Sequence, residues 1–98
     1  MYVLSVKLTF NIPGAASLKD KRQVRRSIIE KVRKRYNVSI SEIGAQDAHQ
    51  TLILGIALVS GEKAHAQNSI NEIIRFMENN PDAELITIED SEPSLGRL

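Results

Sequence analysis

The sequence predicts an α+β fold of the ferredoxin-like, split β-α-β type, in which two helices cover one face of a four-stranded antiparallel sheet. Four segments have the residue content of strands, and two carry an apolar stripe at helical spacing. Their order along the chain is β-α-β-β-α-β. We place a single domain at residues 1–90 of the 98-residue chain and expect a loose C-terminal tail at residues 91–98.

The first strand and the first helix are separated by a proline–glycine turn. Residues 2–11 alternate between largely apolar and largely polar side chains, which is typical of a strand with one buried face. Ser17 is expected to cap the helix, with Asp20 three residues later. The helix is predicted to end near Tyr36, where Asn37 suits a left-handed stop. Its core-facing residues are Leu18, Val24, Ile28, Ile29, Val32 and Tyr36.

The second and third strands are predicted at residues 38–44 and 50–60. Ile43 breaks the alternation of the second strand and indicates a bulge before Gly44. The third strand is apolar on both faces, whereas an antiparallel strand with one face in water should alternate. We therefore expect its second face to be covered. That face carries Ile53, Ala57 and Val59.

The second helix begins after Ser60-Gly61-Glu62, and an Asn-Asn-Pro sequence ends it. Its apolar stripe recurs at helical spacing. The residues of the stripe are Ala66, Ile70, Ile73, Ile74 and Met77. Residues 83–89 predict the fourth strand.

Composition excludes several classes of protein. The chain has no cysteine, so disulfide scaffolds and thiolate metal sites are excluded. The longest apolar run, at residues 52–59, is far shorter than the roughly 20 residues of a membrane-spanning helix. No secretion signal is evident, so we expect a cytoplasmic protein. His49 and His65 lack neighbours at metal-ligand spacing, and no nucleophile has a recognisable base. We therefore expect no metal, no cofactor and no enzymatic activity.

The net charge of +1 conceals a strong asymmetry along the chain. Residues 1–36 contain ten lysines and arginines against two acidic residues, a net charge of +8. Residues 37–98 contain three basic and ten acidic residues, a net charge of −7. Nine basic residues lie between Lys19 and Arg35. Such a division is informative about binding partners rather than about fold.

The basic residues of the first helix are the main candidate site. Helical spacing places four of them on one side over about 20 Å, a length that matches several phosphate spacings. These four are Lys19, Arg22, Arg26 and Arg33. Three interpretations remain open for them: binding of RNA or another anion, a solvated surface with local pairs through Glu30, or pairing with the acidic C-terminal half.

Lys21 and Arg25 complete the set of candidate nucleic-acid or anion-binding residues, but they point toward the apolar side of the helix. They either extend past the edge of the sheet or reach an acid such as Glu42. An anion clamped between the helix and a loop is the further alternative. Base stacking on the sheet is not expected, because Tyr2 and Phe10 share the parity of the core residues.

The apolar second face of the third strand predicts an interface. A homodimer formed through the open sheet or its edge is the simplest arrangement, with Ile53, Ala57 and Val59 in contact. A twofold dimer would also duplicate the basic helix.

Four passages carry a resemblance to a known family. They are SLKDKR at residues 17–22, RYNVSISEIGAQD at 35–47, LGIALVS at 54–60 and MENNPDAEL at 77–85. Over essentially the whole chain the sequence resembles the YlxP-like family of small bacterial proteins, a domain of unknown function. The resemblance implies the ferredoxin-like fold. Because genes of the family often neighbour those of translation-initiation and ribosome-maturation factors, it also favours an association with RNA or ribosomes.

Two functions are therefore considered. The first is a non-enzymatic RNA- or ribosome-associated protein whose basic first helix contacts phosphates. The alternative is a dimeric interaction or regulatory module that binds a protein partner or a small anion. A membrane partner is not expected.

Overall fold

The computed structural model describes residues 1–90 and confirms the predicted order of elements. Four strands form one sheet in the order β2-β3-β1-β4, with each neighbouring pair antiparallel. The fold is the ferredoxin-like split β-α-β. The predicted tail at residues 91–98 lies outside the described residues. The elements are β1 Tyr2–Asn11, α1 Leu18–Arg35, β2 Ser39–Gly44, β3 Thr51–Ser60, α2 Lys63–Glu78 and β4 Glu84–Asp90.

The core lies between the sheet and the two helices. The central strands β1 and β3 supply its largest share, because alternate residues of both are apolar and point to the same face. The helices complete it with the stripes that the sequence predicts. The buried residues include Val6, Leu8, Phe10, Leu52, Leu54, Ile56, Leu58, Ile28, Val32, Ala66, Ile70, Ile73 and Met77. Each large apolar side chain buried in this way stabilises the fold by roughly 1.5–3 kcal/mol.

Helix α1 begins and ends through specific local contacts. The Ser17 hydroxyl accepts a hydrogen bond from the Asp20 backbone N–H at 3.2 Å, and Asp20 Oδ2 accepts one from the Ala16 N–H at 3.0 Å. The helix ends because Tyr36 adopts an extended conformation. The expected left-handed stop at Asn37 is wrong: within residues 1–90, the only non-glycine residue with a positive φ is Ala45.

The predicted bulge in β2 is confirmed. Glu42 pairs with Leu54 and Gly44 with Ile53, which leaves Ile43 unpaired. The Ile43 side chain turns over the outer face of the sheet, against Gly55 of β3. A β-carbon at Gly55 would lie 3.0 Å from Ile43 Cγ2, so only glycine leaves this isoleucine its full space. The bulge therefore adds an apolar side chain to the face that the helices do not cover.

Candidate nucleic-acid interface

Four exposed cations follow one side of α1. A helix rises about 1.5 Å per residue, so they extend over about 20 Å. None of them forms an ion pair with any other residue in the range 1–90. Arg33 is the most constrained of the four, because its Nη2 donates a hydrogen bond to the Ile40 carbonyl at 3.2 Å. We call this set the basic stripe: Lys19, Arg22, Arg26 and Arg33.

The alternative that local pairs neutralise the helix is not supported within residues 1–90. Glu30 is exposed and forms an ion pair with neither Arg26 nor Lys34. The described part of the acidic half does not pair with the stripe either. The positive charge of the stripe is therefore available to a ligand.

A second group of cations, which the sequence reasoning did not single out as binding residues, lies near the C-terminal end of α1. It consists of Lys31, Lys34 and Arg35, all exposed. The Arg35 guanidinium lies 4.5 Å from the centre of the Phe76 ring of α2 and 6.0 Å from that of Tyr36. The run KVRKR at residues 31–35 was a sequence signal for this density of charge. The aromatic neighbour belongs to another helix and had no such signal.

Lys21 is placed differently from the rest of the predicted set. Only 1% of the residue is exposed, and its Nζ donates hydrogen bonds to the carbonyls of Ala45 at 2.7 Å and Ala48 at 2.8 Å. Nζ also lies 3.0 Å from Glu42 Oε2, which makes the two an ion pair. Lys21 thus ties α1 to the turn between β2 and β3. The structure removes it from the residues that an RNA phosphate can reach.

Arg25 shares the same carboxylate. Its Nη1 lies 2.8 Å from Glu42 Oε1, and its side chain is mostly buried. Of the two alternatives that the sequence left open, extension past the sheet edge or contact with an acid such as Glu42, the structure shows the contact with Glu42 for both Lys21 and Arg25. Arg25 therefore does not offer an unpaired guanidinium, and we leave it out of the binding surface together with Lys21.

The two cations control the ionisation of Glu42. Burial raises the pKa of this carboxyl, but the contacts with Lys21 and Arg25 lower it by more, so the net pKa lies below its usual value of 4.5. Glu42 is therefore ionised at neutral pH, and the cluster is held together by charge.

The predicted interface residues lie together on the outer face of β3. Val59 is 66% exposed, while Ile53 and Ala57 are half-buried. Ile43 and Val3 border them on the neighbouring strands. Within residues 1–90 no element packs over this face, which we call the open face.

Among the described residues there is neither a cluster of metal ligands nor a helix that could span a membrane. Within residues 1–90, no three histidine, aspartate or glutamate side chains gather where they could hold a metal ion. Neither α1 nor α2 is apolar over the length that crossing a bilayer requires. The arrangement on α1 can bind anions through charge and hydrogen bonding.

Comparison with known proteins gives two matches. The family model described as a protein of unknown function (DUF503) matches residues 3–90. The chain is also similar to the uncharacterized protein YlxP of Bacillus subtilis (strain 168). The two are 40% identical over 73 residues, which cover 74% of this chain and 79% of the Bacillus protein.

Proposed function

The chain belongs to the DUF503 family of proteins of unknown function, and we propose that it is a non-enzymatic RNA-binding protein of the cytoplasm that contacts phosphates through α1. The observation that carries the proposal is the state of the helix cations. Seven exposed lysines and arginines on α1 have no ion-pair partner within residues 1–90. An unneutralised row of this kind favours a polyanion, because each phosphate contact releases a condensed counterion.

The geometry supports contact with the phosphate backbone rather than sequence reading by the sheet. Phe10 is completely buried, so it offers no surface for a base on the sheet. The stripe, by contrast, has arginine side chains, whose planar guanidinium groups match phosphate oxygens. A structured RNA, such as ribosomal RNA, would present the phosphates of a backbone over a distance comparable to the length of α1.

The test compares two triple variants with the same change in charge. Lys19, Arg22 and Arg26 are changed to glutamine together, and Arg33 is kept because it contacts the Ile40 carbonyl. The control changes Lys7, Lys63 and Arg75, which are exposed on the sheet and on α2. Binding of a fluorescein-labelled strand of twelve adenylates is measured by anisotropy between 50 and 300 mM salt, a range of roughly 14 to 6 Å in screening length.

We expect a log–log slope of about −3 for the unaltered protein, corresponding to about four phosphates. The stripe variant should bind at least about tenfold more weakly and with a slope near −1, since it lacks three contacts. The control variant should keep the slope. Equal weakening by the two variants would refute a specific role of α1, and a salt-independent affinity would refute phosphate binding.

A second function is supported by the open face. Contiguous apolar side chains on a sheet surface usually mark a contact with another protein. Here they lie on the predicted interface of Ile53, Ala57 and Val59, with Ile43 beside them. We propose that this face packs against a second copy of the chain. Lys7 and Glu89 on the sheet form an ion pair with each other, so their charges cancel. The face therefore has no net charge that would select a charged partner. The binding experiment above distinguishes a dimer that binds RNA from a dimer that serves only as an interaction module, because only the first should bind the labelled strand.

A further inference from the structure

A cleft of about 390 Å³ separates the C-terminal ends of α1 and α2. Its walls combine cations, an aromatic ring and amide side chains. A volume of this size is within the range of small-molecule sites. The residues that define it are Lys31, Arg35, Phe76, Asn79 and Asn80.

From this combination we propose that the cleft binds a nucleobase of the RNA strand whose phosphates contact α1. The proposal rests on the RNA-binding function proposed above and adds to it a site for a base. In this site the base is recognised by Phe76 and by the two asparagines that follow α2. None of these residues belongs to the basic stripe.

The platform for the base is the pair formed by Phe76 and Arg35. The guanidinium carbon lies over the Phe76 ring, 4.5 Å from its centre, so the ring holds the guanidinium at the wall of the cleft, where a base can stack on it. The Tyr36 ring meets Phe76 edge-on at 5.9 Å and holds it in place. Aromatic rings and arginine planes are the surfaces on which proteins stack the bases of single-stranded RNA.

Hydrogen-bonding groups lie in the same cleft. The Oδ1 of Asn80 accepts from the backbone N–H of Asp82 at 2.9 Å, which fixes the amide and leaves its NH2 group as a donor. Asn79 lines the cleft with an exposed amide that has no partner within residues 1–90. An amide can donate to and accept from the edge of a base. The site therefore provides stacking and edge contacts together.

The position of the cleft relative to the cations determines the kind of ligand. Lys31 lines the cleft and also a shallow depression on the outside of α1, whose charged residues are Arg26, Lys34 and the single acid Glu30. Three cations against one acid therefore connect the basic stripe, through Arg26, with the mouth of the cleft. A strand lying along this surface would place a sugar–phosphate unit beside Lys31 and its base against the Arg35–Phe76 pair. These cations attract an anionic ligand and give no electrostatic attraction to a neutral or cationic one.

The test separates the base from the phosphates. Two labelled RNA strands of equal length and charge are compared, one of twelve adenylates and one in which all twelve bases are absent. Stacking of one base changes affinity by roughly five- to 150-fold, so we expect the full-length protein to prefer the adenylate strand by at least about fivefold. Phe76→Leu should abolish that preference without changing the affinity for the abasic strand. Phe76→Tyr, which keeps the ring, should retain it.

The outcomes distinguish this inference from the proposed function. If the protein binds both strands equally and with a steep salt dependence, the phosphate surface stands and the base site is refuted. If neither strand binds, the proposed function fails and the base site fails with it. Should Phe76→Leu not fold, photocrosslinking of the unaltered protein to a strand of 4-thiouridines decides the matter. Crosslinks within residues 76–80 support the site, and their absence there overturns it.

Discussion

Lys21 lies on the core side of α1, at a position where an uncompensated ammonium group would be strongly destabilising. Two backbone carbonyls and the carboxylate of Glu42 surround its Nζ, so each donor has an acceptor or an opposite charge nearby. These contacts connect two elements of the fold. The turn that follows β2 is attached to the helix, and the attachment depends on ionisation of Glu42.

The sequence predicted only part of this cluster. The angular position of Lys21 and Arg25 on the helix leaves two possibilities, extension past the edge of the sheet or contact with an acid such as Glu42. The two carbonyl acceptors had no sequence signal, because they are created by the turn conformation in which Ala45 has a φ of 53°. Backbone groups are present at every residue, so only the folded geometry shows which of them a side chain meets.

We predict that Glu42→Gln lowers the free energy of unfolding by about 3 kcal/mol at pH 7, because it leaves the Lys21 charge buried without a carboxylate. The pKa of folded Glu42 lies below 4.5. The stabilisation is therefore complete above that value and is lost as pH falls through the lower, folded pKa. Urea unfolding followed by circular dichroism at pH 7 and pH 3 should show a large difference between the two proteins at pH 7 and a smaller one at pH 3.

Glu30→Gln is the matched control for this prediction. Glu30 is exposed on the same helix and has no ion-pair partner in the described part of the chain. Its replacement should change stability by less than about 0.5 kcal/mol at either pH. Equal stabilities of Glu42→Gln and Glu30→Gln at pH 7 would contradict an ionic role for the cluster.

Helix α1 is the element on which both the core and the proposed RNA surface depend. Its start was predictable, because a serine followed by an aspartate three residues later has a specific local use in capping. Its end near Tyr36 was predictable as well, since α1 ends at Arg35 with an extended Tyr36 as its C-cap. The left-handed stop expected at Asn37 was wrong. The Tyr36 ring packs against Phe76 of the other helix, a contact that no local pattern in the sequence indicates.

We predict that Ser17→Ala lowers the free energy of unfolding by about 1 kcal/mol, since the Asp20 N–H loses its acceptor at the start of α1. Ser39→Ala is the control, because Ser39 is exposed at the start of β2 and makes no side-chain hydrogen bond with the described residues. That variant should stay within about 0.5 kcal/mol of the unaltered protein. Urea denaturation of the three proteins measures both differences. A Ser17 variant as stable as the Ser39 variant would show that the cap does not hold this helix.

At the scale of the whole molecule, the cations and the apolar open face lie on opposite sides of the sheet. The family membership that the sequence resemblance predicted is confirmed. The predicted fold is confirmed as well. It could be predicted because the alternating and helical patterns of apolar residues determine which faces must be buried. The sequence could not show that the cations of the basic stripe lack ion-pair partners among residues 1–90, since pairing with acidic residues depends on distances between elements. The roles in RNA binding and dimerisation stay predictions.

We predict that the protein forms a dimer through the open face and that Val59→Lys weakens it by more than about tenfold, because a lysine there must be buried without a partner. Sedimentation velocity over a range of concentrations measures the change. Ile86→Lys is the comparison, since Ile86 is an exposed apolar residue on the edge strand β4. Dissociation by Ile86→Lys alone would place the contact at the edge and contradict use of the face. A monomer at all concentrations would contradict dimerisation altogether.

The two-layer arrangement also limits how many RNA segments such a dimer can serve. With both helices on the side of the sheet away from the open face, a face-to-face pair carries its two basic helices on its outermost surfaces, pointing in opposite directions. A short strand cannot touch both helices, so it gains no avidity from the second subunit. Each dimer would therefore bind two short strands. One dimer could also bind a long folded RNA at two distant points and so bridge them.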